Sequence, residues 1–310
     1  MEGLTLSQRE QARLETLNRV LQGQMRVDEA AQVLGVSERH MWRLLAAYRK
    51  NGAAALAHGN RGCRPANMIP EKIRERVIEL ARTRYQGLNH CHLTELLAEG
   101  EDLFLARSTV RSILVGAGMR SPRHRRPPRH RVRRERLPQE GMLVQIDGSP
   151  HNWLEERSPL SLIIAIDDAT GTIPWALFRE QEDSHGYFLL LWGIIERRGI
   201  PLALYSDRHA IFQQRRRAGR SPEEQEPTQF GRAMGELGVS PIFARSPQAK
   251  GRVERVGGTL QDRLVAELRL AGASNISKAN DVLWDYLPRH NERFGVPPAQ
   301  PGSAYRPLAP

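Results

Sequence analysis

The chain has 310 residues, of which 40% are hydrophobic and 26% are charged, a composition typical of soluble globular proteins. No run approaches the roughly 20 apolar residues that span a bilayer, and the polar start MEGLTLSQRE does not resemble a signal peptide. The two cysteines, Cys63 and Cys91, are too few for a disulfide framework and favour a reducing compartment. We therefore expect a cytoplasmic protein of two or three domains.

The positive charge is confined to the N-terminal part of the chain. Residues 1–140 carry 26 Lys and Arg against 15 Asp and Glu, whereas residues 141–310 carry 20 of each. Most of these cations are arginines, whose planar guanidinium suits phosphate oxygens and guanine edges. The cations do not form the stripe of a membrane-surface helix. This asymmetry predicts that the N-terminal part binds a polyanion.

Residues 1–60 predict a helix-turn-helix domain. Ser7 can cap a first helix that ends at Gly23, and a second helix runs from Val27 to Gly35. Ser37 then caps a third helix after a tight turn. The predicted outward face of that third helix supplies the DNA-contacting side chains Arg39, Trp42 and Arg43.

Residues 61–119 predict a second helix-turn-helix-like domain. Apolar residues recur at helical spacing after Pro70, again in HLTELLAEG, and again in RSTVRSILVGAG. We expect Arg107, Thr109 and Arg111 to contact DNA from the last of these helices. The cluster Asn89-His90-Cys91-His92 lacks a second pair of ligands at zinc spacing, so no metal site is expected there.

Residues 120–138 form an arginine-rich linker. Nine arginines, three prolines and a single acid lie between Arg120 and Arg136, a composition that cannot form a core. We expect an extended segment that lies along a phosphate backbone when DNA is bound. The predicted DNA contacts in this linker are Arg123, Arg125, Arg126, Arg129 and Arg131.

From Gly141 onward, strand patterns replace helical ones. Alternating and buried apolar runs predict three strands, followed by a helix, a fourth strand, a helix, a fifth strand and a long helix. This βββαβαβα order is that of an RNase H-like fold with the sheet order 3-2-1-4-5. The fold class is thus multidomain, with all-α units followed by an α/β core at 139–300 and a tail at 301–310.

Three carboxylates lie at informative places in that order. Asp147 lies within the first strand, Asp207 ends the fourth strand, and Glu254 lies in the first turns of the long helix. The first and fourth strands are neighbours in the predicted sheet, so the two aspartates should lie side by side. Buried carboxylates need a partner or a metal, and two Mg²⁺ ions would both neutralise the three and clamp a phosphodiester. We expect two Mg²⁺ ions, for which Mn²⁺ can substitute.

The segments around these carboxylates resemble a known family. QIDGS, YSDRHAIF and SPQAKGRVERVGGTLQDRLV look like the three acidic motifs of DDE transposases and retroviral integrases, with the ISNCY-like insertion-sequence transposases most similar. The 46 residues between Asp207 and Glu254 exceed the spacing of about 35 in the family's pattern, and the polar insertion 215–230 accounts for the excess. The resemblance implies an integrase catalytic core that cleaves and joins DNA strands.

The resemblance implies that the protein is a transposase that binds the terminal inverted repeats of its own element. It also implies a target DNA, a homodimer or larger assembly, and a bacterial, nucleoid-associated location. Two other interpretations stay open: a catalytically impaired, shortened relative that acts as a sequence-specific DNA-binding regulator, and a structure-directed nuclease on the same fold. Members of the group commonly continue into a small C-terminal β-domain, and we expect this chain to end before it, at YRPLAP (305–310).

Several residues near the acidic motifs each have two possible roles. Lys250 and Arg252 are expected to face DNA phosphate, although a solvated helix start is an alternative. His209 could contact the scissile phosphate or support its loop. Asp168 is expected to form the turn Asp168-Ala-Thr-Gly171. The alternative is that it supports a metal-binding residue without binding the metal itself.

Overall fold

The computed structural model describes residues 6–57, 65, 68–122, 134–155, 157, 159–212, 227–244 and 251–308. The chain divides into two compact units, Met1–Pro70 and Glu71–Pro310. No helix within the described ranges is long and apolar enough to cross a membrane.

The first unit is the predicted helix-turn-helix. Its α-helices are α1 (Gln8–Leu21), α2 (Val27–Leu34) and α3 (Glu38–Asn51), followed by a short 3₁₀ helix over Gly52–Leu56. Local signals set their ends: the Ser37 hydroxyl accepts a hydrogen bond from the backbone N–H of His40, and Gly35 ends α2 with a φ of 63°. The small core contains Leu17, Ala30, Ala31, Met41, Leu45 and Leu56.

The second unit opens with three helices that match the second helical pattern. They are α4 (Glu71–Arg82), α5 (His90–Glu101) and α6 (Arg107–Gly116). Asn89 caps α5 by accepting the backbone N–H groups of Cys91 and His92. The buried apolar side chains of these helices form one cluster, which also includes Ala266 from the core that follows.

The core is a five-stranded sheet of order β3-β2-β1-β4-β5, which confirms the predicted RNase H-like topology. Strands β1 to β3 form an antiparallel meander, and β4 and β5 add in parallel. Their bounds are β1 (Val144–His151), β2 (Leu160–Asp167), β3 (Ala176–Arg179), β4 (Ala203–Ser206) and β5 (Ser240–Phe243).

Helices cover both faces of the sheet. One face, which includes Val144 and Ile146 of β1, packs against α7 (Ser184–Arg198) and α8 (Gln229–Glu236). The other face, which includes Ile164 and Ile166 of β2, packs against α9 (Gly251–Leu270) and α10 (Ile276–Phe294). The side chains of β1 therefore alternate between the α7 face and the α9 face.

The sequence analysis did not predict helix α10. Pro288 lies inside it, and a proline in an interior turn is usually a sign that a helix has ended. The helix nevertheless continues to Phe294, because a stripe of apolar residues that includes Leu283, Tyr286 and Leu287 is buried against α9 and the sheet.

Ion pairs and hydrogen bonds connect the α4–α6 group to the core within the second unit. His92 Nε2 lies 2.9 Å from Glu267 Oε1, and Asn89 donates to Asp262 at 2.7 Å. The side chain of Arg263, of which 8% is exposed, forms an ion pair with Glu95. The N-terminal half of α5 is therefore attached to α9 by polar contacts.

Candidate active site

Asp147 and Asp207 lie level with each other on neighbouring parallel strands. In the β1–β4 register, Gln145 is opposite Tyr205, so Asp147 and Asp207 each lie two residues further along. Asp207 directly follows β4, and the backbone N–H of His209 donates to its Oδ1 at 2.9 Å. Both aspartates are half-buried. The two carboxylates therefore lie at one edge of the site, as the predicted strand order requires.

The side chain of Asp147 faces helix α9. It is opposite Ile164 in the β1–β2 register, and Ile164 packs in the cluster that α9 and α10 cover. Its neighbours on the same face of β1 also reach toward α9: Gln145 donates to Asp168, which also binds Arg252, and Ser149 accepts from Gln261.

These contacts fix the level of Glu254 relative to the strand. Gln261 Nε2 lies 3.1 Å from Ser149 Oγ, and Glu254 lies seven residues, close to two turns, earlier on the same side of α9. Seven helical residues cover about 10.5 Å, which corresponds to about three strand residues. This places the Glu254 backbone near the level of Ile146 and Asp147, with an exposed side chain.

Carboxylate oxygens in this arrangement are the donors that Mg²⁺ prefers. Asp147 and Asp207 supply two such groups, and α9 brings Glu254 along the same face. Among the described residues, no group of three or more His, Cys, Asp or Glu is arranged to hold a metal ion. The two aspartates are donors of the chemical type that a divalent cation binds.

A fourth carboxylate, Glu182, lies beside Gly148, the residue that follows Asp147 in β1, and the sequence analysis did not identify it. Glu182 Oε1 accepts a hydrogen bond of 2.5 Å from the hydroxyl of Tyr187. It lies against Gly148, where an added Cβ would come within 2.9 Å of Oε1 and closer still to Oε2. Burial, together with the charges of Glu182, Asp147 and Asp207, raises the pKa of Tyr187 far above its ordinary value. Tyr187 thus stays protonated, and only the absence of a side chain at Gly148 hints at this contact in the sequence.

Asp168 does more than form a turn. Its carboxylate is fully buried and binds Arg134, Arg252, the Gln145 side-chain amide and the Leu137 backbone N–H. Burial by itself raises the pKa of this group, but the Leu137 N–H and the two guanidinium groups outweigh it and hold the pKa below its ordinary value. Asp168 therefore remains ionised at neutral pH.

The end of the arginine-rich segment is attached to the core at this point. Arg134 forms an ion pair with Asp168, and Arg136 donates to the carbonyls of Asp168 and Ala169 at 3.2 Å and 3.1 Å. The last two arginines of the predicted linker, Arg134 and Arg136, therefore bind acceptors in the core. Arg252, expected to face phosphate, donates here to Asp168 and to the carbonyl of Arg134.

The predicted DNA-contacting face of α3 is exposed. Arg39, Trp42 and Arg43 all point outward, and 54% of Trp42 is accessible. The guanidinium of Arg43 lies 3.0 Å from the ring of His40, which orients it along the helix surface.

On α6, Arg107 and Arg111 are exposed, whereas Thr109 is half-buried at the edge of the face. Two serines and a valine complete this surface, which surrounds a depression of about 330 Å³ lined by Arg107, Ser108, Arg111, Ser112 and Val115. Sequence reasoning expected Ser108 or Thr109 to cap this helix, whereas the helix begins at Arg107 with Ala106 as its N-cap; it did not single out Ser112.

Several predicted contacts lie outside the described residues: Arg123, Arg125, Arg126, Arg129, Arg131 and Lys250. The ring of His209 accepts the backbone N–H of Ile211 at 3.4 Å, so in this structure the histidine supports its own loop.

The fold and these residues define a class: a helix-turn-helix domain followed by an RNase H-like core with two aspartates level on neighbouring strands. The model of the homeodomain-like domain family matches residues 7–57. The chain is 39% identical over 308 residues to the candidate transposase y4bF of Sinorhizobium fredii, a match that covers 98% of this chain and 66% of the relative. It is 34% identical over 310 residues to the transposase for insertion sequence IS1202 of Streptococcus pneumoniae, covering 89% of this chain and 66% of that protein.

The chain therefore belongs to the transposase family that these two proteins represent, and it spans 66% of the length of each. Two solved structures are also similar. One is the simian T-cell lymphotropic virus intasome in complex with the PP2A regulatory subunit B56 gamma, with a TM-score of 0.37, 21% identity and 67% of both chains covered. The other is the HTLV-2 integrase catalytic core domain in complex with magnesium, with a TM-score of 0.35, 18% identity, and 47% of this chain and 86% of that chain covered.

Proposed function

We propose that this chain acts as a transposase that binds the terminal inverted repeats of its own element and catalyses DNA strand cleavage and strand transfer. Asp147, Asp207 and Glu254 are the proposed catalytic residues and hold two Mg²⁺ ions, for which Mn²⁺ substitutes. The observation that carries this proposal is the register that brings Asp147 level with Asp207, on the face of the sheet that α9 covers.

The roles of the three residues follow from their supports. The β1 ladder fixes the backbone position of Asp147, and the backbone N–H of His209 binds one oxygen of Asp207, which orients that carboxylate before any ligand binds. Glu254, on an exposed part of α9, closes the site from the helix side. When bound, Mg²⁺ ions supply a Lewis acid for an in-line displacement at phosphorus and activate the attacking water or 3′-hydroxyl.

The exposed arginines of α3 and α6 are the proposed DNA-binding groups. Each lies on the outward face of the last helix of its helical group, the position from which a recognition helix reads the major groove. Arg123, Arg125, Arg126, Arg129, Arg131 and Lys250 extend the proposed contacts with DNA phosphates. Holding two element ends together implies a homodimer or a larger assembly on DNA.

The test is cleavage of labelled duplex DNA from the edges of the element that encodes this chain, with Mg²⁺ or Mn²⁺. The wild-type chain is compared with Asp207→Asn and with Asp285→Asn, which alters an exposed carboxylate on α10. We expect metal-dependent nicking at the element end, abolished in Asp207→Asn and kept in Asp285→Asn, with DNA binding intact in all three.

Two results would contradict the proposal in different ways. If Asp207→Asn still cleaves, the assignment of the acidic residues is wrong. If the wild-type chain binds the element end specifically and never cuts it, the chain is a sequence-specific DNA-binding regulator.

A further inference from the structure

The buried carboxylate of Asp168 accepts hydrogen bonds from three other parts of the second unit. Oδ1 accepts from the guanidinium of Arg252 at the start of α9, from that of Arg134, and from Gln145 of β1 at 2.7 Å. Oδ2 accepts the backbone N–H of Leu137 at 3.0 Å. A buried charge is tolerated only where such donors surround it. These contacts are therefore needed to stabilise the buried carboxylate of Asp168.

The ion pair with Arg252 fixes the beginning of the helix that carries Glu254. Arg252 is the second residue of α9 and precedes Glu254 by two positions. Its second guanidinium nitrogen, Nη2, donates to the carbonyl of Arg134 at 2.7 Å, and 19% of its side chain is exposed. Further along, Gln261 attaches the middle of α9 to Ser149 of β1. The two attachments, one to Asp168 after β2 and one to Ser149 of β1, fix both the position of α9 along the sheet and its rotation about its own axis.

The turn after β2 does not need Asp168 to hold its shape. Its neighbour Asp167, 1% exposed, accepts the backbone N–H and the hydroxyl of Thr170 at 2.9 Å and 3.0 Å, and the N–H of Gly141 at 2.8 Å. Asp168 is directed instead toward α9 and the end of the arginine-rich segment. The two adjacent buried aspartates therefore bind different groups: Asp167 stabilises the turn, and Asp168 binds the start of α9 and the arginine-rich segment.

We propose that Asp168 is a positioning residue for Glu254: by binding Arg252 it sets the first turns of α9 so that Glu254 lies level with Asp147. The inference rests on the proposed function, since it concerns the third carboxylate of that site. Asp168 itself touches no substrate. Because Arg134 and Leu137 bind the same carboxylate, the end of the arginine-rich segment and the start of α9 share one point of attachment.

The first measurement needs neither DNA nor metal. Hydrogen exchange of the full chain is followed at the amides of residues 255–258, which are the first in α9 to bond within the helix. We expect at least tenfold faster exchange there in Asp168→Asn and in Arg252→Gln, with the double variant no faster than the faster single variant, since both remove one interaction. Asp167→Asn is the matched control and should leave these amides unchanged.

The second measurement is cleavage of the element-end duplex by the same variants. We expect kcat to fall at least tenfold in Asp168→Asn while the Kd for the DNA stays unchanged, because the side chain acts on Glu254 and not on the DNA. Arg252→Lys keeps the charge and loses the second donor, so its exchange and its kcat should lie between those of wild type and Asp168→Asn. This variant also serves where Asp168→Asn does not fold.

The proposal is overturned if the exchange rates at residues 255–258 do not change in Asp168→Asn. It is also overturned if Asp167→Asn accelerates them equally, which would show a general effect of the turn. Wild-type kcat in Asp168→Asn overturns it as well. If the wild-type chain does not cleave DNA, the proposed function fails, and the exchange measurement still decides whether Asp168 sets the start of α9.

Discussion

The carboxylate of Asp168 and the guanidinium of Arg252 form an ion pair across 84 positions of the chain. It connects the end of β2 to the start of α9, the helix that carries Glu254. Contacts of this kind, between polar groups far apart in sequence, recur throughout the second unit and lead to the following predictions.

Removing the charge of Glu95 should weaken the attachment of α5 to α9. Arg263 is almost completely buried and forms an ion pair with Glu95, which also binds Arg293. In Glu95→Gln we expect the free energy of unfolding to fall by roughly 2 kcal/mol, since a buried guanidinium loses its counter-charge and Glu95 is partly exposed. Urea denaturation measures this. In Glu71→Gln, which alters an exposed pair with Arg74, the change should stay below about 0.5 kcal/mol; equal losses in the two variants would contradict the prediction.

His290 should make the protein less stable in acid. Its ring is buried beside Tyr286 and Phe294, neither ring nitrogen has a hydrogen-bond partner among the described residues, and burial and the nearby Arg263 lower its pKa from 6.5 to about 4. The unfolded chain therefore takes up the proton first as the pH falls, and stability decreases from about pH 6.5 to about pH 4.

This shift corresponds to roughly 3 kcal/mol. We expect that amount of the pH dependence of the unfolding free energy to disappear in His290→Phe, measured by denaturation between pH 4 and 7. The exposed His185 provides the control, because His185→Phe should keep the wild-type slope. A His290→Phe variant with the wild-type slope would show that another group is responsible.

A side chain at Gly193 should disrupt the contact between α7 and Trp175. An added Cβ there would overlap the indole ring, which stacks on Trp284 at 5.1 Å and has the Arg197 guanidinium 3.5 Å from its centroid. We expect Gly193→Ala to lower the unfolding free energy by about 1–3 kcal/mol and to change the near-ultraviolet circular dichroism. Gly258→Ala in α9 meets nothing within 4 Å and should be neutral or slightly stabilising. Loss of stability in both variants would show that replacing a helical glycine is itself destabilising, and would contradict the overlap with Trp175 as the cause.

The exposed arginines of the two helical groups should contribute to DNA affinity separately. We expect Arg43→Ala and Arg111→Ala each to weaken binding to element-end duplex by about tenfold to a hundredfold. Fluorescence anisotropy at several salt concentrations measures this. A phosphate contact should lower the slope of log affinity against log salt by about 0.9, and a base contact should leave it unchanged. Arg232→Ala, which removes an exposed charge on α8, is the control; an equal loss there would mean that net charge alone governs binding.

Much of the architecture follows from local patterns. Ser37 and Gly35 mark helix ends by their own hydrogen bonds and backbone conformation, and the alternation in β1 and the continuous apolar run in β2 are both typical of strands. The sheet order then followed from the order of the elements, and with it the neighbouring positions of Asp147 and Asp207.

Other features depend on contacts that no local pattern contains. A proline inside α10 indicates a helix end unless the burial of the flanking turns is known. The partner of Arg134 and Arg252 is likewise not evident from local sequence. Both arginines match a DNA-binding pattern but bind a buried carboxylate. Glu182 is similar, because only the fold brings it against Gly148.

The sequence by itself therefore determined the elements from α1 to α9, their order and the neighbouring positions of the two aspartates, because periodicity and capping act over a few residues. Only the tertiary structure decided which charges pair with one another, how α5 attaches to α9 and what holds the start of α9. The local sequence around an arginine is the same whether its side chain binds a phosphate or an aspartate. Only the fold decides whether a buried carboxylate lies within its reach.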